Sequence, residues 1–183
     1  ADSSGLGDLG DMSLESLGKI VTSVSRKPED SFRSAAAIYV ISNDDIKASG
    51  ATHIAEVLRG VPGLDVARFD SSNWAISSRG GNAFFSNKLL VQVDGRSVYS
   101  PYFIAGVEWN QLGVDIDDIE RIEVFRGSNS AAYGSNAFLG VANIITRAPS
   151  ETRGTSLRYR AGDGGVNDVA IRHGQRIGDV DLR

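Results

Sequence analysis

The side chains with the most chemistry to offer are aromatic, and they crowd into one stretch. Eight of the chain's fourteen aromatics, Phe69, Trp74, Phe84, Phe85, Tyr99, Tyr102, Phe103 and Trp109, fall between residues 69 and 109. Turn-forming residues interleave them: Asp70-Ser71-Ser72-Asn73, Gly80-Gly81-Asn82-Ala83, Ser86-Asn87 and Ser100-Pro101. Loops ordinarily give up large apolar groups to the core, so this concentration needs a reason. One reading makes Trp74, Phe84, Phe85, Tyr99, Tyr102 and Phe103 the walls of a ligand site, with Asn73, Asn82 and Asn87 as polar handles. The other packs the same rings against a surrounding wall of protein. Phe69 and Trp109 read as packing residues.

Catalytic chemistry is poorly provided for. His53 and His173 stand 120 positions apart, in no metal-ligand spacing, and read as core or surface imidazoles. No Gly-x-Ser-x-Gly elbow occurs, and the glycines at 127 and 134 are not followed by the Gly-Lys-Ser/Thr of a phosphate-binding loop. Asp115, Asp117 and Asp118 invite a calcium assignment, but their position before Ile119 suits a solvated turn or short helix. The expectation is therefore no enzyme, no cofactor and no metal. Zero cysteines exclude disulfides and thiolate sites. The net charge of −4 is carried by Asp2, Asp8, Asp11 and Glu15, so the rest of the chain is neutral. Without a basic face, nucleic acid is excluded as a partner. The acidic, glycine-bearing leader 1–18 suits a basic protein partner, or is simply a solvated tail.

The elements that must hold these residues centre on Ile119–Arg147. Ile119, Ile122, Val124 and Phe125 interleave with Glu120, Arg121 and Glu123 as a strand with a buried face. Gly127, Gly134 and Gly140 punctuate the chain before Val141–Thr146 resumes a β-rich run, giving a β–loop–β unit. Upstream, Lys19–Arg26 contains a β-prone segment, Ile20, Val21, Thr22, Ser23 and Val24, isolated between the leader and Lys27-Pro28-Glu29-Asp30. It is either an edge strand of this domain or a strand free to extend a partner's sheet.

Ala35–Ile41 reads as a strand, followed by a short helix through Asp44-Asp45-Ile46 capped by Ser42 or Asn43. Thr52–Arg59 reads as a second helix, capped by Thr52 and stopped by Gly60 and Pro62. Strands follow at Leu64–Arg68, Ala75–Ser78 and Leu89–Val93, the last ending in an Asp94-Gly95 turn. After Pro149, Gly154–Arg160 and Asn167–His173 alternate on either side of a glycine-rich turn, with a further strand from Val180. No apolar run reaches the roughly 18 residues of a membrane helix. The fold class is α+β: a small mixed β-sheet with short helices over 27–149, then a truncated β-hairpin in 150–183.

Arg126-Gly127, Tyr133-Gly134 and Gly140-Val141-Ala142-Asn143-Ile144-Ile145-Thr146, together with Leu58-Arg59-Gly60-Val61-Pro62-Gly63, resemble the plug domain of TonB-dependent outer-membrane receptors. The family usually has proline after that Arg-Gly, where this chain has Ser128. The resemblance implies an outer-membrane transporter plug whose N-terminal segment faces the periplasm. It implies that residues 19–26 are the TonB box, with Ile20–Val24 pairing with the TonB C-terminal domain. It also implies that Arg79 and Arg126 meet glutamates on the barrel wall, a bidentate pairing that arginine makes well. The ligand it implies is a scarce nutrient such as a ferric siderophore, haem or cobalamin. The family barrel has 22 strands, which at about ten residues each needs roughly 220 residues. Only 34 follow Pro149, so this chain alone is not expected to form a pore. The rival reading is a free-standing soluble module that binds through the aromatic loops alone.

Overall fold

A computed structural model of the chain describes residues 20–21, 29–30, 38–70, 73–78, 88–100, 106–127, 133–134, 136–162 and 166–182. It contains two compact units, dividing between Ile145 and Thr146. In the first, strands β1 (Ile20–Val21) and β2 (Glu29–Asp30) form a short antiparallel pair, Ile20 opposite Asp30 and Val21 opposite Glu29. The segment that looked isolated in the sequence therefore has a local partner, two residues long.

The central sheet uses β3 (Ile38–Ser42), β6 (Leu89–Val93), β7 (Arg96–Ser97), β10 (Ile119–Arg126) and β11 (Gly140–Thr146), in the order β3-β10-β11-β6-β7. It is mixed: β3 runs antiparallel to β10, β11 parallel to β6, and β7 antiparallel to β6. Strands β10, β11 and β6 lie inside it and are buried on both faces, which is why LLVQV and GVANIIT read as nearly continuous apolar runs. Ile122, Val124, Ala142, Ile144, Leu89 and Val91 join one core with the helices, while Leu90, Phe125, Ala137 and Val141 form a smaller one. Burying each isoleucine or valine in these clusters contributes about 1.5–3 kcal/mol. The tight turn joining β6 to β7 is made by Asp94 (φ 48°) and Gly95 (φ 76°), matching the Asp-Gly expectation.

Helix α1 (Asn43–Ala48) starts on a reciprocal cap. Ser42 Oγ accepts from the Asp45 amide at 3.2 Å, and the Asp45 carboxylate accepts from the Ser42 amide at 2.9 Å. Hydrogen bonds from the Ser42 side chain, then from its backbone, hold the Asp45 carboxyl below its ordinary value. The second helix departs from expectation. α2 covers only Ile54–Val57, continuing as a 3-10 turn over Leu58–Gly60, and its cap is His53 rather than Thr52. His53 Nδ1 accepts from the Ala55 amide at 3.2 Å, whereas the Thr52 amide donates to Glu56 at 3.0 Å. Burial pushes the Glu56 carboxyl up, but the hydrogen bonds from Thr52 and His53 outweigh it and leave it below the usual value.

Strands β4 (Leu64–Arg68) and β5 (Trp74–Ser78) form a hairpin, Leu64 opposite Ser78 and Arg68 opposite Trp74. Its loop is fastened by Asp70, which accepts from the Asn73 amide and side chain at 2.9 and 2.8 Å. Phe69, just past the last paired residue of β4, is 55% exposed within this chain. β8 (Tyr99–Ser100) pairs with β9 (Gly106–Val107). Asp115 caps a 3-10 turn over Ile116–Asp118 by accepting from the Asp117 amide at 2.9 Å. Those aspartates thus serve the turn into β10.

The second unit is an antiparallel sheet of β12 (Gly154–Gly162), β13 (Val166–Ile177) and β14 (Val180–Leu182). Leu157 lies opposite Ile171 and Tyr159 opposite Val169, while the alternate positions pair Arg158 with Ala170 and Arg160 with Asp168. One face is therefore apolar and the other charged. A bidentate pair, Arg153 to Asp181 at 2.8 and 2.9 Å, ties the start of β12 to β14.

Candidate functional site

Each of the three aromatic loops is followed by a strand, and the structure brings those strands together. Trp74 at the start of β5, Leu89 at the start of β6 and Gly106 at the start of β9 all line one small cavity, with Ala75, Ile76, Val91, Val107 and Trp109. Its volume is about 20 Å³, room for a single water, so this is a packed floor rather than a ligand pocket. The strand register extends the convergence: Gly140 pairs with Leu89, the Leu139 amide donates to the Lys88 carbonyl at 2.8 Å, and the Gly127 amide to the Leu139 carbonyl at 3.0 Å.

The sequence offered nine aromatic and amide residues for ligand contact, and the structure describes three of them. Asn73 is exposed and closes its loop through Asp70. Trp74 is 6% exposed and belongs to the core. Tyr99 is half-buried and its hydroxyl donates to the Leu89 carbonyl at 2.6 Å. Asn82, Phe84, Phe85, Asn87, Tyr102 and Phe103 lie outside the described residues, as do Arg79 and the Thr22, Ser23 and Val24 of the N-terminal segment.

Sequence reasoning missed what holds the floor. The His53 ring stacks on Trp74 at 5.2 Å with 16° between planes, and its Nε2 lies 2.5 Å from Asn110 Oδ1. Because Nδ1 accepts from Ala55, Nε2 carries the proton and donates to Asn110. The Arg59 and Arg68 guanidinium carbons sit 5.4 and 5.3 Å from the Trp74 ring centre, within cation–π range. A histidine two residues before Ala55 at a helix start was the available clue.

Arg126 ends β10 and donates from Nη1 to the Pro62 carbonyl at 2.6 Å. That bond ties the Leu58–Leu64 motif to the Ile119–Arg147 motif, two stretches distant in sequence. The Nε of the same guanidinium is buried without a hydrogen-bond partner. Among the described residues, no cluster of three or more His, Asp and Glu is arranged to hold a metal ion.

Burial raises the Tyr99 hydroxyl from 10 to about 12. The folded state keeps this proton more tightly than the unfolded chain, so the Tyr99 contribution is intact below pH 10 and is lost as pH rises from about 10 toward 12. Allowing for partial exposure, about 2 kcal/mol should disappear across that window. Urea unfolding at pH 9 and pH 11.5 should show this drop in the native chain and a smaller one in Tyr99→Phe; equal drops would place the alkaline loss elsewhere.

The TonB-dependent Receptor Plug Domain family model matches residues 30–141. The Vitamin B12 transporter BtuB of Vibrio vulnificus (strain CMCP6) is 33% identical over 145 residues, covering 78% of this chain and 23% of that protein. BtuB of Vibrio cholerae (strain O395) is 28% identical over 160 residues, covering 87% of this chain and 26% of its own length. The chain thus spans about a quarter of the curated relatives it matches. Among solved structures, the ferric-catecholate import receptor Fiu from E. coli K12 aligns with TM-score 0.57 and 27% identity over 80% of this chain and 20% of Fiu. The pyoverdine outer membrane receptor FpvA from Pseudomonas aeruginosa PAO1 shares the fold at TM-score 0.67 and 19% identity, over 87% of this chain and 22% of FpvA.

Proposed function

Because the chain belongs to the TonB-dependent receptor plug domain family, matched over residues 30–141, we propose that it is the plug of an outer-membrane active transporter. In that role it gates a surrounding barrel and senses an extracellular nutrient. The observation that carries the reading is the Arg126–Pro62 bond, by which the strand motif of the mixed sheet is tied to the turn motif at 58–64. The ligand belongs to the class of ferric siderophores, haem or cobalamin, in line with relatives named for vitamin B12 and for ferric-catecholate import. Asn73, Asn82, Phe84, Phe85, Asn87, Tyr102 and Phe103 supply the contacts, and Trp74 and Tyr99 hold their loops in place. In an intact receptor, glutamates of the barrel wall compete with the Pro62 carbonyl for Arg126, and Arg79 meets the wall in the same way.

The second unit fits the start of the barrel. Leu157 and Ile171 are 70% and 72% exposed on one face, opposite a row containing Arg158, Arg160, Asp168 and Arg172. Apolar residues toward lipid and charged residues toward the lumen is the pattern of a transmembrane strand. A free-standing soluble module gains nothing from such a face. No described helix is long and apolar enough to cross a membrane, which says nothing of crossing by strands.

Energy coupling runs through Ile20–Val24. The two-residue β1–β2 pairing is weak enough to be exchanged for a strand of the TonB C-terminal domain. Ligand contact at the loops shifts the population in which that segment is free, and TonB then draws on the plug. Calorimetric titration with the TonB C-terminal domain tests this beside a variant lacking Lys19–Arg26. Binding that disappears in the variant is expected. Binding that persists would move the contact elsewhere in the chain, and no binding by either would remove the coupling reading.

A further inference from the structure

Between β11 and β12, in the second unit, Pro149–Thr152 form one 3-10 turn with proline at its start. The Glu151 amide donates to the Ala148 carbonyl at 2.9 Å, and Thr152 Oγ1 to the Pro149 carbonyl at 3.1 Å. So short a connector would ordinarily lie loose on the surface. Thr152 is instead 1% exposed, and its carbonyl rests on Gly174 of β13, where any Cβ would collide with it. Gly174 is buried beneath that contact although His173 and Gln175 on either side are exposed. The next residue reaches one strand further: Arg153 Nε and Nη2 donate to the two carboxylate oxygens of Asp181 on β14 at 2.8 and 2.9 Å. Exposed ion pairs are commonly worth little, and the two-point fit of guanidinium to carboxylate is the exception.

We propose that Pro149–Arg153 is a strap that anchors the chain leaving the first unit across all three strands of the second. Gly174, Arg172 and Arg176 alternate onto one face of β13, and Asp181 is the register partner of Arg176, so the strap crosses the charged face of the sheet. Without it, tension on the incoming chain enters at Gly154, the end of β12. The Gly154–Gly174 pair and those after it then open one at a time. With it, the load is shared between a turn seated on β13 and an ion pair on β14 before it reaches β12. In the transport reading, on which this role rests, the strap lets TonB draw on the plug while the first barrel strands keep their register. The strap itself is a feature of the second unit alone.

The test is limited trypsin digestion of the 183-residue chain in detergent micelles, which cover the apolar face, with the cut sites identified by mass spectrometry. Cleavage after Arg153 reports the strap, because its side chain must leave Asp181 to enter the protease. Cleavage after Arg158, Arg160 and Arg172 reports the strands. All four bonds should be protected in the native chain. Asp181→Asn keeps the size of the side chain and removes its charge. It should raise cleavage after Arg153 about tenfold and leave the strand sites at their native rates, since cutting follows the population of the open form. Gly174→Ala should raise it as well, by displacing the Thr152 carbonyl instead of the ion pair. Asp179→Asn is the control: it removes the partner of Arg176 at 3.4 Å, beyond the strap, and should change nothing. No rise at Arg153 in Asp181→Asn, or an equal rise in Asp179→Asn, would overturn the proposal. So would Arg153 and the strand sites opening together in Asp181→Asn, which would make the segment inseparable from the hairpin. None of these rates involves TonB, so failure of the plug reading in the calorimetric test leaves them standing.

Discussion

Gly140→Ala is expected to destabilise the first unit by at least about 3 kcal/mol, a large fraction of the total stability of a typical domain. Gly140 opens β11 at the point where that strand enters between β10 and β6. A Cβ there would lie far inside van der Waals contact of the Phe125 carbonyl oxygen and 3.1 Å from Leu89 Cδ1. The obstacle is backbone of a central strand, so it cannot swing aside as a surface side chain would; only separation of the strands relieves it. Gly106→Ala is the control, because a Cβ there meets nothing within 4 Å, and it should change stability by less than about 0.5 kcal/mol. Urea unfolding followed by circular dichroism separates the two. Equal stability of both variants would mean that the Phe125–Gly140 contact is not as close as described.

Arg121→Met should be nearly as damaging. Glu123 is 0% exposed within the central strand β10, and Arg121 Nε reaches its carboxylate at 2.9 Å. Methionine keeps most of the arginine stem's packing but removes the charge that faces this buried carboxylate, at a cost of about 3 kcal/mol. The double variant Arg121→Met/Glu123→Leu should recover to within about 1 kcal/mol of the native chain if the damage comes from the uncompensated buried charge and not from loss of the pair. A double variant as unstable as the single would mean that Glu123 is needed for its other contacts rather than for its charge balance. Chemical denaturation of the three proteins at neutral pH decides between them.

Much of the architecture was legible in the chain, because it is written in short-range chemistry. The period of Ile119–Arg126, the apolar run of β11, the Asp94-Gly95 turn and the Ser42–Asp45 cap each depend on residues within a few positions of one another. So does the alternation of Leu157, Tyr159, Val169 and Ile171 against the arginines of β12 and β13. The family motifs at 58–64 and 119–147 belong with these, since they too are local patterns of turn and strand.

Tertiary structure decided the assignments that depend on distance across the chain. The hairpin buries Trp74 beneath His53 and leaves Phe69 exposed beyond the last paired residue, a difference between two nearby aromatics that the composition of the stretch does not show. The cap of α2 passed from Thr52 to His53 because Glu56 reaches back to the Thr52 amide, leaving the imidazole to accept from Ala55. Arg126 met Pro62, 64 residues away, and Gln92 met Asn143 across a parallel pair of strands. Local periodicity fixes which face of a strand is apolar. Which strands lie side by side is settled only when the sheet closes, so the partners of a buried polar group appear only in the folded chain.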